Sequence, residues 1–148
     1  MAKSRFAFFG AGYFARIQMS AWKELPGAEC VALHNRTRAK GEAFAREFGI
    51  PKVYDGSEEL LRGESVDFVD LCTNPFSRPD FVRMAAAHKM PVISQKPMAP
   101  SVAIGEELVR TCRQAGIPYL IHENWRWQGP IRQLKQARGP GHGGMLPA

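Results

Sequence analysis

Short apolar runs alternate along this chain with longer stretches in which apolar residues recur every three or four positions, a pattern that predicts strands and helices in turn. Residues 6–9 ("FAFF") read as a buried strand, and Phe14, Ile17, Ala21 and Leu25 then fall on one face of a helix. Residues 30–33 ("CVAL") predict a second strand. Ala39, Ala43, Phe44 and Phe48 make the next helical stripe, closed by Gly49 as a C-terminal cap with Pro51 beyond it. Residues 52–54 ("KVY") predict a brief strand. Ser57 with Glu58 and Glu59 marks a helix start, where acidic side chains meet the positive end of the helix dipole. Residues 66–72 ("VDFVDLC") carry the strongest strand signal. Pro79 then opens a helix bearing Phe81, Met84, Ala85 and His88, residues 91–94 ("PVIS") form another strand, and Ser101 caps a helix running to about residue 115. Residues 119–122 ("YLIH") complete the series.

Strand and helix repeated this often imply an α/β fold, a doubly wound and mostly parallel sheet covered on both faces. Such sheets bind ligands at the carboxyl ends of their strands, so functional residues belong just after each strand. Residues 1–122 are expected to form this domain, 123–138 a linking segment and helix, and 139–148 ("GPGHGGMLPA") a flexible tail.

Composition narrows the classes. The chain of 148 residues is 45% hydrophobic and 23% charged, the profile of a soluble globular protein. Its formal net charge of +6 is concentrated near the end: residues 1–123 carry +2 and residues 124–148 carry +4. The body therefore lacks the basic face of a nucleic-acid-binding protein. Cys30, Cys72 and Cys112 are odd in number and widely spaced, which suggests neither a disulfide framework nor a metal site and favours a reducing cytoplasm. Lys3 and Arg5 before an apolar run imitate a secretory signal, but the run continues as an amphipathic helix. No stretch is long enough to span a membrane.

The chemistry begins at "GAGYFA", residues 10–15, between a buried strand and an amphipathic helix. That context makes Gly-x-Gly-x-x-Ala informative as a dinucleotide-binding turn. Gly10 permits the tight turn, Gly12 lets a pyrophosphate approach the backbone, and Ala15 lets the helix pack closely on the sheet. Tyr13 and Phe14 then lie on the first helical turn, whose free N–H groups face the anion. The second strand ends in "HNRTR", where an NAD-binding protein would carry an acid. Asn35, Arg36 and Arg38 stand there with no carboxylate among them, which favours NADP over NAD because a guanidinium can pair with the 2′-phosphate. The alternative is that the two arginines are a solvated helix start.

Two further loops fall where ligand loops belong, "CTNPFSRP" (72–79) and "SQKPMAP" (94–100), each stiffened by proline. The order of glycine turn, "TNP", "QKP" and "ENWRW" (123–127) resembles the N-terminal half of the glucose-fructose oxidoreductase and inositol dehydrogenase family, Gfo/Idh/MocA, from about residue 4 to about residue 138. The resemblance implies a Rossmann domain of a nicotinamide-dependent oxidoreductase acting on sugars, polyols or related compounds. It implies that Thr73, Asn74 and Pro75 line the cofactor and that Lys96 lies near the reacting carbon as the catalytic residue. Relatives usually read Glu-Lys-Pro where this chain has Gln95, Lys96 and Pro97, and a glutamine can still hydrogen-bond a ribose hydroxyl. Trp125 and Arg126, after Asn124, resemble a cofactor-side segment, although Trp125 and Trp127 suit an interface equally well. Relatives continue into a second α+β domain that binds substrate, and His142 is a poor substitute for its catalytic groups. Apolar surface around Met98, Trp125 and Trp127 would then be open, so a homodimer is expected. A non-enzymatic nucleotide sensor on the same fold is the alternative.

Overall fold

The computed structural model describes residues 2–137. Six strands form one sheet: β1 (Ser4–Phe9), β2 (Ala28–His34), β3 (Lys52–Tyr54), β4 (Phe68–Leu71), β5 (Val92–Gln95) and β6 (Tyr119–His122). Every pairing is parallel and the order is β3-β2-β1-β4-β5-β6. The chain thus winds outward in both directions from β1, and the strand order reverses between β1 and β4, where such sheets open a ligand crevice.

The alternation within β1 divides the core. Phe6 and Phe8 pack with Ala15, Met19, Leu33 and Phe44 under α1 (Tyr13–Lys23) and α2 (Arg38–Phe48). Ala7 and Phe9 face the opposite cluster, which includes Leu60, Val82, Leu108 and Cys112 from α3 (Ser57–Gly63), α4 (Arg78–Ala87) and α5 (Val102–Ala115). Each fully buried phenylalanine contributes about 1.5–3 kcal/mol, which explains why "FAFF" anchors both layers at once. Between Phe6 and Ala7 the partner strand slips by one: Phe6 pairs with Cys30 but Ala7 with Ala32, so Val31 is the extra residue of a β-bulge.

Helix boundaries follow local chemistry. Gly49 and Gly116 end α2 and α5 in the left-handed conformation, and Ser101 caps α5 by accepting the Ile104 N–H at 3.4 Å. Ser57 opens α3 one residue after its cap, Gly56, with Glu58 and Glu59 in the first turn. Helix α4 starts at Arg78, with Pro79 in its first turn.

One expected face is reversed. On α1 the buried residues are Ala15, Gln18 and Met19, while Phe14 and Ile17 are 37% and 51% exposed and Ala21 is also exposed; Leu25, 52% exposed, lies beyond the helix end. Arg16 on the other flank pairs with Glu47 of α2 at 2.8 Å, so the apolar stripe lies on the flank turned away from α2. Apart from α1, whose Gln18 and Trp22 reach Asp70 of β4, the helices packed on β4 and β5 sit on the opposite layer, and on the α1 side Leu120 of β6 is 56% exposed. On α2 likewise, Ala39 and Ala43 are exposed and Gly41, Phe44 and Ala45 are buried.

After β6 come a 3-10 turn (Trp125–Trp127) and α6 (Gly129–Ala137). The sequence reading of a tail at 139–148, His142 included, lies outside the described residues. No helix among the described residues is long and apolar enough to cross a membrane.

Candidate functional site

The turn after β1 uses its two glycines for different reasons. Gly10 has φ +109°, and a Cβ there would stand 2.4 Å from the Cys72 carbonyl oxygen, so β4 itself fills the space. Its N–H donates to the His34 carbonyl at 2.9 Å, while Cys72 N–H donates to Phe9 at 2.9 Å, which locks the ends of β1, β2 and β4 together. Gly12, as the cap of α1, has φ −84° and ψ −175°, an ordinary extended conformation, and a Cβ would meet nothing within 4 Å. The space before it is open. Ala15 is fully buried against the sheet, Tyr13 is 84% exposed, and the first turn of α1 has no acidic residue.

At the end of β2, Asn35 bridges two loops: its Oδ1 accepts from Ala11 N–H at 3.1 Å and its Nδ2 donates to the Thr37 carbonyl at 2.7 Å. The His34 ring packs in a three-ring cluster with Phe9 and Phe81, at centroid distances of 5.4 and 5.5 Å. Burial lowers its pKa, and its Nδ1 is 3.2 Å from the Tyr54 carbonyl. Arg38 is held by Glu42 at 2.8 Å and by Asp55 at 2.7 Å. Asp55, from the loop after β3, puts a carboxylate in the neighbourhood where residues 34–38 alone have none.

After β4, Asn74 folds its own loop: Oδ1 accepts from Phe76 N–H at 2.9 Å, and its carbonyl accepts from Ser77 and Arg78 at 3.2 and 3.1 Å as α4 begins. Arg78 is 2% exposed, and its guanidinium donates to the carbonyls of Thr73, Gln95 and Pro97, tying the "TNP" loop to the "QKP" loop. Burial lowers its pKa, since no carboxylate compensates it. Gln95 is also buried, at 6% exposure, with its amide engaged beneath the sheet, whereas Lys96 is exposed. The Lys96-Pro97 bond is cis.

The strand ends enclose a crevice of about 400 Å³ lined by Gly10, Gly12, Asn35, Arg36, Thr73 and Asn74 together with Ala11, His34, Asp55, Cys72, Ser77 and Phe81. Thr73 Oγ1 is buried there without a protein partner, a polar atom left for a ligand. Arg38, Gln95, Lys96 and Trp125 do not line this crevice; Gln95 and Lys96 stand at the end of β5, and Trp125, 62% exposed, follows β6. The Arg126 backbone belongs to the 3-10 turn. A larger, shallower apolar groove of about 700 Å³ runs along α5 past Met98, Val102 and Val109, away from the glycine turn. Among the described residues no three His, Cys, Asp or Glu side chains cluster as a metal site.

Sequence reasoning missed His34, Asp55, Arg78 and Phe81 as contributors here. A histidine at a strand end was visible; a buried arginine before a proline looks like any solvated helix start.

Residues 4–122 match the model of an oxidoreductase family with an NAD-binding Rossmann fold, GFO_IDH_MocA. The chain belongs to the Gfo/Idh/MocA family. Among its Gfo/Idh/MocA relatives, a D-apiose dehydrogenase of Rhizobium rhizogenes is 42% identical over 135 residues, covering 91% of this chain and 39% of that protein. A second D-apiose dehydrogenase, of Paraburkholderia graminis, is 37% identical over 131 residues, covering 88% and 35%. The solved structure of an oxidoreductase from Agrobacterium radiobacter, in complex with NAD⁺, L-tartaric acid and magnesium, is 40% identical with a TM-score of 0.89, covering 93% of this chain and 40% of that one. The chain therefore spans less than half the length of these relatives. It is an NAD(P)-binding Rossmann domain of the oxidoreductase type.

Proposed function

We propose that this domain binds a nicotinamide dinucleotide across the ends of β1, β2 and β4 and presents it beside β5 to a sugar or polyol. The observation that carries this reading is the glycine turn: Gly12 faces open space at the start of a helix with no acid in its first turn, while Gly10 is filled by its own protein. The Gly10, Gly12, Tyr13, Phe14 and Ala15 segment offers helix N–H groups to the pyrophosphate. Asn35 and Arg36 meet the adenosine ribose, and Thr73, Asn74 and Pro75 line the path towards the nicotinamide. When bound, the nicotinamide supplies or accepts the hydride. Lys96 donates a hydrogen bond to the substrate oxygen and stabilises its developing negative charge. The two D-apiose dehydrogenases support a sugar as substrate class.

The cofactor we propose is NADP, with Arg36 as the reader of its 2′-phosphate, because Arg36 lines the crevice and forms no ion pair among the described residues. Arg38 offsets the charge of Asp55 instead. A specific observation favours NAD as the second reading: Asp55 lines the same crevice, and the 40%-identical oxidoreductase was solved with NAD⁺. Residues 1–122 serve as the binding domain and 123–138 as the link, with Trp125 and Arg126 on the cofactor side. A cytoplasmic homodimer completes the proposal, since Trp125, Trp127 and Leu134 are 62%, 66% and 54% exposed. Calorimetric titration with NADPH and NADH tests the reading: saturable binding of one dinucleotide per chain is expected, and no heat with either would refute it.

A further inference from the structure

Beneath the crevice, on the α1 side of the sheet, side-chain hydrogen bonds run in one line from β4 to β5. Asp70, fully buried, receives Gln18 Nε2 on its two oxygens at 2.7 and 2.6 Å and Trp22 Nε1 at 2.6 Å. Gln18 Oε1 accepts from Gln95 Nε2 at 2.8 Å, and Gln95 Oε1 accepts from the Lys96 backbone N–H at 3.0 Å. Gln18 and Gln95 are 3% and 6% exposed, so water does not substitute for a missing partner. Each amide has one carbonyl and one NH₂, and Asp70, although burial raises its pKa, accepts here from both Trp22 and Gln18. Asp70 therefore turns the Gln18 NH₂ towards itself. Gln18 is left with a carbonyl for its other neighbour, so position 95 must donate there and accept from Lys96. The line has a direction, fixed at one end by the Lys96 backbone N–H, which only donates, and matched at the other by Asp70, which accepts from Gln18 and Trp22.

We propose that this directed line positions Lys96 and that Gln95 is a positioning residue, holding the Lys96 backbone from below rather than touching a ribose. The inference rests on the reading of Lys96 as the residue beside the reacting carbon. It makes an unusual demand. Gln95→Glu alone sets a carboxylate against Gln18 Oε1, acceptor against acceptor. Asp70→Asn alone lets Gln18 and then Gln95 turn over, which ends with an NH₂ against the Lys96 N–H. The two substitutions together reverse the whole line: the new amide at 70 accepts from Trp22 and donates to Gln18, Gln18 donates to the new carboxylate at 95, and that carboxylate accepts from Lys96.

The test compares the parent protein, both single variants and the double variant by the Lys96 backbone amide resonance, by NADPH and NADH affinity, and by urea unfolding. A lost buried hydrogen bond predicts that each single variant shifts the Lys96 resonance and lowers the urea midpoint, and that the double variant recovers both. A merely structural cluster would give additive losses in the double variant. An unmoved Lys96 resonance in Gln95→Glu, or a double variant no better than the worse single one, overturns the proposal. Should a single variant not fold, the double decides alone: folded with the parent's Lys96 resonance it supports the line, and unfolded it refutes it. If the parent binds neither dinucleotide, the proposed function fails, while the Lys96 resonance still decides the hydrogen-bond line.

Discussion

Replacing Gly10 by alanine is expected to strike the fold, and replacing Gly12 only the ligand. At Gly10 the new methyl would stand 2.4 Å from the Cys72 carbonyl oxygen and 3.0 Å from its carbon, where ordinary contact begins at 3.4 Å. The β4 end must retreat by about 1 Å, against a 2.9 Å hydrogen bond from Cys72 N–H to Phe9, or the turn must rotate. A φ of +109° adds conformational strain of about 1–3 kcal/mol for an L-residue. Overpacking a close contact adds about 1–3 kcal/mol more. Together these amount to about 2–6 kcal/mol, a large share of the roughly 5–15 kcal/mol that holds a domain folded. Gly12 has an ordinary φ of −84° and no atom within 4 Å of the added methyl. There the poorer helix cap and the stiffer unfolded chain offset each other to within about 1 kcal/mol. Urea unfolding of both variants, followed by titration with NADPH, separates the two effects. Gly12→Ala or the bulkier Gly12→Val should keep its unfolding midpoint and lose affinity. A Gly10→Ala protein within about 1 kcal/mol of its parent would refute the packing argument.

Arg36→Ala should weaken NADPH binding roughly ten- to a hundredfold and NADH binding little, because a charge-assisted contact to the 2′-phosphate is worth about 1.5–3 kcal/mol; equal losses would move that role elsewhere. The folded His34 has a lowered pKa, chiefly through burial, so the unfolded chain binds the extra proton first. Stability should therefore fall as pH drops below about 6.5, and His34→Asn should flatten that slope in urea titrations from pH 7.5 to 5. Light scattering should find a dimer at micromolar concentration that Trp125→Ser weakens; a monomer throughout that range would remove Trp125 from any self-association.

The strand and helix order was legible because parallel strands buried on both faces are continuous apolar runs, and "FAFF" and the core of "VDFVDLC" need no partner to be recognised. The glycine turn was legible from its flanks. The buried side of α1 was not, because Phe14, Ile17, Ala21 and Leu25 have the right spacing for a core stripe, yet the first three face outward and Leu25 falls past the helix end. Periodicity tells that a face is apolar, and only tertiary packing tells what lies against it. Residues joined across the fold left no local trace: Gln18 meets Asp70 at a separation of 52 residues and Gln95 at 77. Asp55 escaped the reading of "HNRTR" for the same reason, since its carboxylate arrives from another strand.

The bulge at Val31 makes the second strand tolerant of length. Because Cys30 and Ala32 face Phe6 and Ala7 on either side of the surplus residue, removing Val31 would join two residues already in register. Leu33 would still meet Phe8, His34 would still meet Phe9, and the loop above would keep its place. The middle of a buried central strand is ordinarily the worst site for a deletion, yet here the ladder carries a spare rung. A chain lacking Val31 should lose stability through one missing side chain and still bind dinucleotide, whereas a chain lacking Val69 in unbulged β4 should neither fold nor bind. Descendants of this fold can thus gain or lose a residue in the sheet interior while the ligand end stays fixed.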